Sequence, residues 1–322
     1  MRFVVVGAGA IGGVVGGRLV ESGYDVVFIA RGTHGAAMAS DGLQLASPER
    51  SVSIPVSVAA AVDAITFSPD DVALVAVKSQ DTVAVLDTLA SAAGTELRVI
   101  CLQNGVNNER EALRRFRRVY GATVMCPSVH LRPGRVVAHS APTTGIIDVG
   151  CYPTGVDGVA QAVVEALAAS TFSSCTQSEV AKWKWRKLIT NLGNAIEAVC
   201  GPPARRGPIA DVVRREAEDV LKAAGVDYVS AGEDDERRGH HLDVQSVDGE
   251  GRQGGSSWQS LAKRAGTIET DYLNGEIVML GRLYGVSTPA NTSLQIHARR
   301  MATACAEPGS IDPDDFLAAL DR

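Results

Sequence analysis

The 322-residue sequence has no excess of positive charge, few aromatic residues and no long apolar run, and each absence bears on function. Its net charge is −6, and aromatic residues make up 5% of the chain. A negative chain argues against a basic surface for nucleic acid or acidic lipid. No segment reaches the roughly twenty apolar residues that span a bilayer, and Arg18 and Glu21 interrupt the apolar start. We therefore expect a cytoplasmic protein with no nucleic-acid or membrane partner.

Cysteine pairs are also lacking. The six cysteines include no C-x-x-C pair, which is the spacing typical of zinc sites and of dithiol redox sites. Reduced thiols are the expectation for such residues in a cytoplasmic chain. No metal site is predicted.

What the sequence does contain is a series of short apolar segments that alternate with helical patterns. Residues 72–77 and 97–102 are two such segments, each followed by a helical pattern. This alternation is typical of a parallel sheet covered by helices on both faces. The prediction is an α/β fold, with a Rossmann-type doubly wound sheet over residues 1–175 and an all-helical domain over residues 176–322.

Three segments refine this picture. Residues 119–149 read as strands with turn signals, such as the Pro-Gly turn between 129–131 and 136–138, and we expect this stretch to extend the sheet in a partly antiparallel way. Residues 179–199 form a long helical pattern that ends at Gly-Pro-Pro. The stretch 230–255 is polar and rich in charge and glycine, so it is a candidate lid or mobile loop, with a solvated charged surface as the alternative.

A glycine fingerprint, G-x-G-x-x-G at residues 7–12, follows the first apolar strand directly. Gly7 allows a tight turn, Gly9 lets backbone amides approach a pyrophosphate, and Gly12 lets the next helix pack near the sheet. Ala10 and Ile11 open that helix, whose amino terminus attracts phosphate. The pattern predicts a dinucleotide-binding turn, with an ordinary glycine-rich turn as the alternative.

The second strand pattern, 26–29, is followed by a basic residue where an acid is common. A fold that prefers NAD usually ends this strand with Asp or Glu, which binds the ribose 2′-hydroxyl. Here Asp25 stands at the start of the strand and Arg31 beyond its end. An arginine at this point can pair with a 2′-phosphate. The sequence therefore favours NADP(H), with a surface arginine that binds no ligand as the alternative.

Two further polar features follow apolar strands. Lys78 comes after 72–77, and Gln103-Asn104-Gly105 comes after 97–102. Ligands of open α/β sheets bind outside the carboxyl ends of the strands. Taken singly, Lys78 or Asn104 could be an ordinary loop residue. Together with the glycine turn and Arg31 they outline a cofactor crevice.

The helical half must then supply groups for a substrate. Lys187, Asn191 and Asn194 fall at i, i+4 and i+7 of the long helical pattern, so a regular helix would place them on one face. A cation between two amides can bind a carboxylate and donate a proton to a carbonyl oxygen. Asparagine is a poor former of helix interiors, which favours a functional role over a solvated polar face.

In this order the motifs resemble those of the ketopantoate reductases (2-dehydropantoate 2-reductases). The resemblance covers nearly the whole chain, and its combination of motifs is far more specific than the glycine fingerprint. It rests on Gly7-x-Gly9-x-x-Gly12, Arg31, Lys78, Gln103-Asn104-Gly105, Trp185-Arg186-Lys187-Leu188 with Asn191, Ser256-Ser257, Ile268-Glu269-Thr270-Asp271-Tyr272-Leu273-Asn274-Gly275 and Thr288-Pro289-Ala290-Asn291.

The resemblance implies roles in the helical half. Lys187 would be the general acid, Glu269 a partner of the substrate hydroxyl, and Ser257 with Asn191 would bind the substrate. These residue types suit the chemistry, because reduction of a 2-oxo acid needs a protonated donor within reach of the ketone oxygen. A lysine, with an ordinary pKa of about 10.4, is protonated at neutral pH.

The resemblance also implies that Asn104 and Lys78 lie where nicotinamide and substrate meet, and that Arg31 binds the 2′-phosphate. One position departs from the family pattern. The second asparagine is expected eight residues after Lys187, where this chain has Ala195, whereas Asn194 follows at seven. Asn194 either keeps the substrate-binding role or indicates a different substrate.

Three functional hypotheses follow. The first is an NADP(H)-dependent oxidoreductase acting on CH–OH, which reduces ketopantoate to pantoate in pantothenate biosynthesis. The second is a reductase of another branched 2-oxo acid, and the third is an NADPH-binding regulatory protein without turnover. The expected partner is a small 2-oxo acid, and a homodimer is compatible with the sequence.

Overall fold

The structure, a computed structural model, describes residues 1–320, and the chain divides into two compact units. The first comprises Met1–Lys184 and Ser230–Arg252, and the second comprises Trp185–Val229 and the residues from Gln253 onward. The units divide between Lys184 and Trp185, inside one helix, whereas the sequence placed the domain boundary after residue 175. The first unit also includes Ser230–Arg252, a segment that the sequence assigned to the helical domain.

The strands of the described chain all belong to the first unit. They are β1 (Arg2–Val6), β2 (Asp25–Ile29), β3 (Leu43–Ala46), β4 (Ser51–Ile54), β5 (Ser57–Ala59), β6 (Asp71–Val75), β7 (Arg98–Cys101), β8 (Arg118–Met125), β9 (Ser128–Arg132), β10 (Arg135–Ala138), β11 (Gly145–Cys151) and β12 (Phe172–Ser173).

The α-helices begin with α1 (Ala10–Glu21), α2 (Gly32–Asp41), α3 (Thr82–Ala93), α4 (Asn108–Leu113) and α5 (Gly158–Ala169). They continue with α6 (Val180–Asn191), α7 (Gly193–Cys200), α8 (Pro208–Ala223), α9 (Ala231–Arg238), α10 (Ser256–Ala262), α11 (Asn274–Tyr284), α12 (Pro289–Thr303) and α13 (Pro313–Leu320). Short 3₁₀ helices cover Val62–Ala64, Ser79–Asp81, Pro202–Arg205 and Glu269–Tyr272.

The main sheet has the order β12-β11-β8-β7-β6-β1-β2-β5. Its strands from β8 to β5 are parallel, while β11 pairs antiparallel with β8. Side chains alternate between two hydrophobic cores, since Phe3 and Val5 of β1 contribute to one and Val4 and Val6 to the other. Both faces are therefore covered, as the prediction of a doubly wound Rossmann-type sheet requires. That fold class is confirmed.

The predicted hairpin does form, as β9 and β10, but not in the main sheet. It pairs with β3 and β4 in a second sheet of order β4-β3-β10-β9. The helix α1 packs against this second sheet, and a Cβ added at Gly13 would lie 2.6 Å from Cγ1 of Val136. The stretch 119–149 does extend the main sheet through β8 and β11, but the hairpin within it does not, because its partner strand β3 lies some ninety residues earlier in the chain. The antiparallel extension is formed by β11.

The polar stretch after residue 230 is largely ordered by contacts with the first unit. A capping box between Ser230 and Glu233 begins α9. Arg237 donates to both carboxylate oxygens of Asp148, a β11 residue with no solvent exposure, at 2.8 and 2.6 Å. Val244 bridges to Ser140. The segment 230–252 is thus held to the first unit by an ion pair and by backbone contacts, which the interpretation as a mobile loop did not foresee.

In the described part of the second unit, all regular elements are helices. The helix α7 packs against α10 and α12, and α8 packs against α11 and α12. Helical periodicity explains the core, because Ile209, Val213 and Val220 recur at spacings of four and seven and are all buried. Among the residues described, no helix is both long and apolar enough to cross a bilayer.

Candidate active-site residues

The turn between β1 and α1 has the shape that a dinucleotide pyrophosphate requires. Gly7 has φ +97°, and a Cβ at Gly12 would lie 2.0 Å from the carbonyl oxygen of Gly7, so both positions need glycine. A Cβ at Gly9 would meet no atom within 4 Å, so the space beside it is open. The amides of Ala10, Ile11 and Gly12 lie in the first turn of α1, where an α-helix offers no internal acceptor. Backbone donors facing open space fit a phosphate group.

A histidine that sequence reasoning missed holds this turn in place. Nε2 of His34 lies 2.7 Å from the carbonyl oxygen of Ala8, and Nδ1 accepts a hydrogen bond from the amide of Gly134 at 2.8 Å. The imidazole therefore carries its proton on Nε2 and donates to the glycine turn. His34 also lies against the ring of His130, with centroids 4.1 Å apart. Its only signal in the sequence was its place in the helix that follows Arg31.

Arg31 lies beyond the end of β2, at the amino-terminal cap of α2, and is exposed. Asp25 begins β2 at the opposite end of the strand and is also exposed. The end of β2 that faces the glycine turn therefore carries a cation and no acid, as the sequence indicated.

Lys78 and Asn104 occupy equivalent places on neighbouring strands. The strands β2, β1, β6 and β7 are adjacent and parallel, so the turns that follow them share one edge of the sheet. Lys78 precedes the 3₁₀ helix Ser79–Asp81, and Asn104 lies in the turn before α4; both are half-buried. The prediction that these features share one edge with Gly7 and Arg31 is confirmed.

The long helix predicted over 179–199 is interrupted. It ends as α6 at Asn191, and α7 begins at Gly193. The carbonyl oxygen of Leu192, at the interruption, accepts a hydrogen bond from Nδ2 of Asn274 at 3.4 Å. Lys187 and Asn191 share α6 at spacing i, i+4 and so the same face. The prediction that Asn194 shares this face assumed one continuous helix, and Asn194 lies just beyond the interruption, in α7.

Asn194 is part of a polar cluster. Its Oδ1 accepts from Nη1 of Arg205 at 2.9 Å, and the same nitrogen lies 2.5 Å from Oε2 of Glu197. Its Nδ2 is 3.4 Å from Oγ of Ser256. A Cβ at Gly255 would lie within about 3 Å of Glu197, Arg205 and Asn194, so the cluster is compact. Arg205 orients the Asn194 amide so that its N–H groups point away from the ion pair, a role the sequence did not suggest.

Ser257 and Glu269 are both buried, at 2% and 5% exposure. Ser257 lies in the first turn of α10, and Glu269 begins a 3₁₀ helix. Within residues 1–320, Oγ of Ser257 has no hydrogen-bond partner. Buried hydroxyls are nearly always paired in folded proteins, so this donor fits contact with a ligand.

The later motif residues Asn274 and Asn291 belong to the scaffold. Nδ2 of Asn274 donates to Oδ1 of Asn291 at 3.0 Å. The carboxylate of Glu216 accepts from the amides of Ala290 and Asn291 at 2.8 and 2.9 Å and from Nδ2 of Asn291 at 2.8 Å. This network joins α8, α11 and the amino terminus of α12. These motif residues therefore have a structural role in the packing of the helical unit.

Sequence reasoning also missed a buried ion pair between Lys184 and Glu109, whose side chains are 3% and 0% exposed. The signal was present, because Lys184 lies four residues from Val180 and from Leu188, both fully buried, and so falls on the apolar stripe of α6. A charged residue on such a stripe requires a buried partner.

Two parts of the chain match models of one protein family. The family model described as ketopantoate reductase PanE/ApbA matches residues 3–154, and the model of its C-terminal part matches residues 179–301. The 2-dehydropantoate 2-reductase of Pyrococcus horikoshii is 27% identical over 299 residues, which are 90% of this chain and 94% of that protein.

Two solved structures resemble the chain over nearly its whole length. A PanE/ApbA family ketopantoate reductase from Ralstonia eutropha is 28% identical with a TM-score of 0.78, covering 95% of this chain and 99% of that one. A D-mandelate dehydrogenase, solved with NADH and anilino(oxo)acetate, shares the fold with a TM-score of 0.80 at 20% identity, covering 95% and 99%. The two matched ranges together show that this chain belongs to the ketopantoate reductase PanE/ApbA family.

Proposed function

We propose that the protein is an NADPH-dependent 2-dehydropantoate 2-reductase, which reduces ketopantoate to pantoate in pantothenate biosynthesis. One observation carries this proposal. The two ranges that match the family, 3–154 and 179–301, contain every residue that the sequence assigned to the site. The match therefore includes both the residues suited to a cofactor and those suited to a substrate.

The first unit supports NADPH as the cofactor. The amides that open α1 would hold the pyrophosphate, with the open space at Gly9 receiving it. Arg31 would hold the 2′-phosphate, and no acid stands there to bind a free 2′-hydroxyl. Lys78 and Asn104 would border the nicotinamide at the same edge. The bound cofactor supplies a hydride.

The helical unit would supply the proton and the substrate contacts. As the ketone carbon accepts the hydride, Nζ of Lys187 donates a proton to the ketone oxygen, and a 2-hydroxy acid results. Asn191, one turn further along α6, and the unpartnered Ser257 hydroxyl would bind substrate oxygens, while Glu269 would accept a hydrogen bond from the substrate hydroxyl. Burial of Ser257 and Glu269 would exclude water from these contacts.

A second candidate is reduction of a different branched 2-oxo acid. It is favoured by the cluster at Asn194, whose amide is oriented by Arg205 and Glu197. The amide N–H donors of Asn194 would therefore be placed differently toward a substrate from those of an asparagine at position 195, where the family pattern has its second asparagine. On this candidate, the substrate-binding residues prefer an acid other than ketopantoate.

NADPH oxidation by the purified protein over a panel of 2-oxo acids separates these candidates. We expect turnover with ketopantoate and a strong preference for NADPH over NADH. Replacing Arg31 by Ala should weaken NADPH binding by about 10- to 100-fold, the loss of a charged hydrogen-bond partner. Arg117→Ala, at an exposed arginine paired with Glu96, is the control. Equal use of NADH by the parent protein would refute the role of Arg31, and activity with another acid only would favour the second candidate.

Lys187→Ala tests the general acid. The kcat should fall by about 100- to 10,000-fold, while the Kd for NADPH, measured by titration, stays near the parent value. Lys182→Ala is the matched control, because Lys182 lies on the same helix, is partly exposed and pairs with Glu179. An unchanged kcat in Lys187→Ala would assign the proton to another group.

We also propose a homodimer in the cytoplasm. Exposed apolar side chains on α11 and α12 support the dimer: Met279, Leu283, Tyr284 and Ile296 are 42 to 69% exposed. All six cysteines are free thiols, as is usual in a reducing compartment. Sedimentation equilibrium of the parent and of Leu283→Asp tests the assembly, since a charge on this surface should give monomers; a parent that sediments as a monomer would contradict it.

A further inference from the structure

The buried Lys184–Glu109 ion pair is joined to the turn that carries Asn104. Nζ of Lys184 lies 2.5 Å from Oε1 of Glu109. The same nitrogen donates to the backbone carbonyl oxygen of Gln103 at 2.9 Å, and it lies 3.4 Å from that of Ala122. Burial raises the pKa of Glu109, and the Lys184 ammonium opposes that change. The ammonium therefore contacts both the carboxylate and the last residue before Asn104.

A chain of hydrogen bonds continues from that residue around the turn. Nε2 of Gln103 donates to Oγ1 of Thr82 at 2.7 Å, and Thr82 donates to Oδ1 of Asn108 at 2.8 Å. Nδ2 of Asn108 donates to the carbonyl oxygen of Asn104 at 2.9 Å and lies 3.3 Å from Oγ of Ser79. Gln103, Thr82, Asn108 and Ser79 are all buried. The network thus holds the backbone on both sides of Asn104 and reaches the residue after Lys78.

Stability alone does not account for such a pair. Replacing a buried ion pair by apolar residues of similar volume is often neutral or stabilising, because two charges must lose their hydration. Hydride transfer, in contrast, depends on position, and a misplacement of about 1 Å can lower the rate 100-fold. Rigid support of a turn next to the nicotinamide would meet that demand.

We propose that Lys184 and Glu109 are positioning residues, which fix the Gln103-Asn104-Gly105 turn for hydride transfer through the Gln103 carbonyl and the Thr82–Asn108 hydrogen bonds. The pair itself touches neither substrate nor cofactor in this scheme. The inference rests on the proposed function, because it takes Asn104 to border the nicotinamide.

The principal variant is the double substitution Lys184→Met with Glu109→Leu, which removes both charges and keeps similar volumes. The matched control is Asp148→Leu with Arg237→Met, which removes another buried ion pair of the first unit, 0% and 14% exposed. Thr82→Val is a second test variant, since it keeps the shape of the side chain but removes the hydroxyl that joins Gln103 to Asn108. It applies even if the double variant does not fold.

Two measurements report whether the Gln103-Asn104-Gly105 turn keeps its position. Hydrogen–deuterium exchange of the ligand-free protein should be at least about tenfold faster over residues 102–108 in both test variants, and unchanged there in the control. In the NADPH assay, kcat should fall by about 10- to 100-fold, with a larger isotope effect from 4-deuterated NADPH. The Kd for NADPH should change by no more than about twofold, the spread of a neutral substitution.

Unchanged exchange over 102–108 in a folded test variant would overturn the proposal, as would equal losses of kcat in the control. Failure of the proposed function looks different, because the parent protein would then not oxidise NADPH with any 2-oxo acid. The exchange measurement requires no turnover, so it decides whether the pair holds the turn in that case too.

Discussion

Replacing Gly9 by Ala tests whether the β1–α1 turn binds a pyrophosphate. Gly9 has φ −68° and ψ −156°, a conformation that needs no positive φ. A Cβ there would meet no protein atom within 4 Å. The free energy of unfolding should therefore change by less than about 1 kcal/mol.

Cofactor binding should respond very differently. The added methyl group would occupy the space in which the proposed function places a phosphate oxygen beside the α1 amides. Forcing an extra carbon into a packed contact costs about 1 to 3 kcal/mol, which corresponds to a Kd for NADPH about 5- to 150-fold weaker. The assay is a fluorescence titration with NADPH, accompanied by a thermal unfolding curve for each variant.

Two further glycines make the experiment specific. Gly158, the first residue of α5, is equally open, so Gly158→Ala should leave both stability and Kd unchanged. Gly12→Ala should damage the fold itself, because its Cβ would lie 2.0 Å from the Gly7 carbonyl oxygen. If Gly9→Ala folds and binds NADPH with the parent Kd, the turn does not hold the pyrophosphate and the reasoning from the glycine spacing is refuted.

Two predictions concern stability. Glu216→Ala should lower the free energy of unfolding by about 3 kcal/mol, since it leaves buried amides at the start of α12 without an acceptor. Asp219→Ala, at an exposed site on α8, the helix that also carries Glu216, is the control in denaturant melts. Equal losses of stability in the two variants would contradict the role of the Glu216 network. Burial lowers the pKa of His139 below 6.5. As the pH drops below about 6.5, the unfolded chain therefore binds a proton at this imidazole more readily than the folded chain does. The free energy of unfolding should be highest above about pH 6.5 and fall below it. His139→Asn should flatten that slope in denaturant melts between pH 5 and 8, whereas the exposed His240→Asn should not, and identical slopes in all three proteins would exclude His139 as the cause.

The parts of the fold that sequence could predict depend on local patterns. The glycine turn follows from residues within one strand, turn and helix. The shared edge of Gly7, Arg31, Lys78 and Asn104 follows because parallel strands point their carboxyl ends the same way. Each of these inferences needs only the strand pattern next to the residue concerned.

The parts that were missed depend on contacts distant in sequence. The hairpin β9–β10 joins β3, which lies some ninety residues earlier in the chain. The segment 230–252 returns to β11 through Arg237 and Asp148, and neither charge indicates its partner. The predicted face of Lys187, Asn191 and Asn194 assumed one regular helix, and no local pattern indicated the interruption at Leu192, whose carbonyl oxygen accepts from the distant Asn274.

The sequence by itself determined the α/β class, the dinucleotide turn, the position of Arg31 and the family to which the motifs belong, because each is written in residues at short or fixed spacings. Only the tertiary structure decided that Asn194 accepts from Arg205, that the buried Ser257 hydroxyl has no partner within residues 1–320, and that Lys184 pairs with Glu109 and donates to the Gln103 carbonyl. The physical reason is that a buried polar group takes its role from the atoms that replace water around it. Those atoms come from parts of the chain that no local pattern connects.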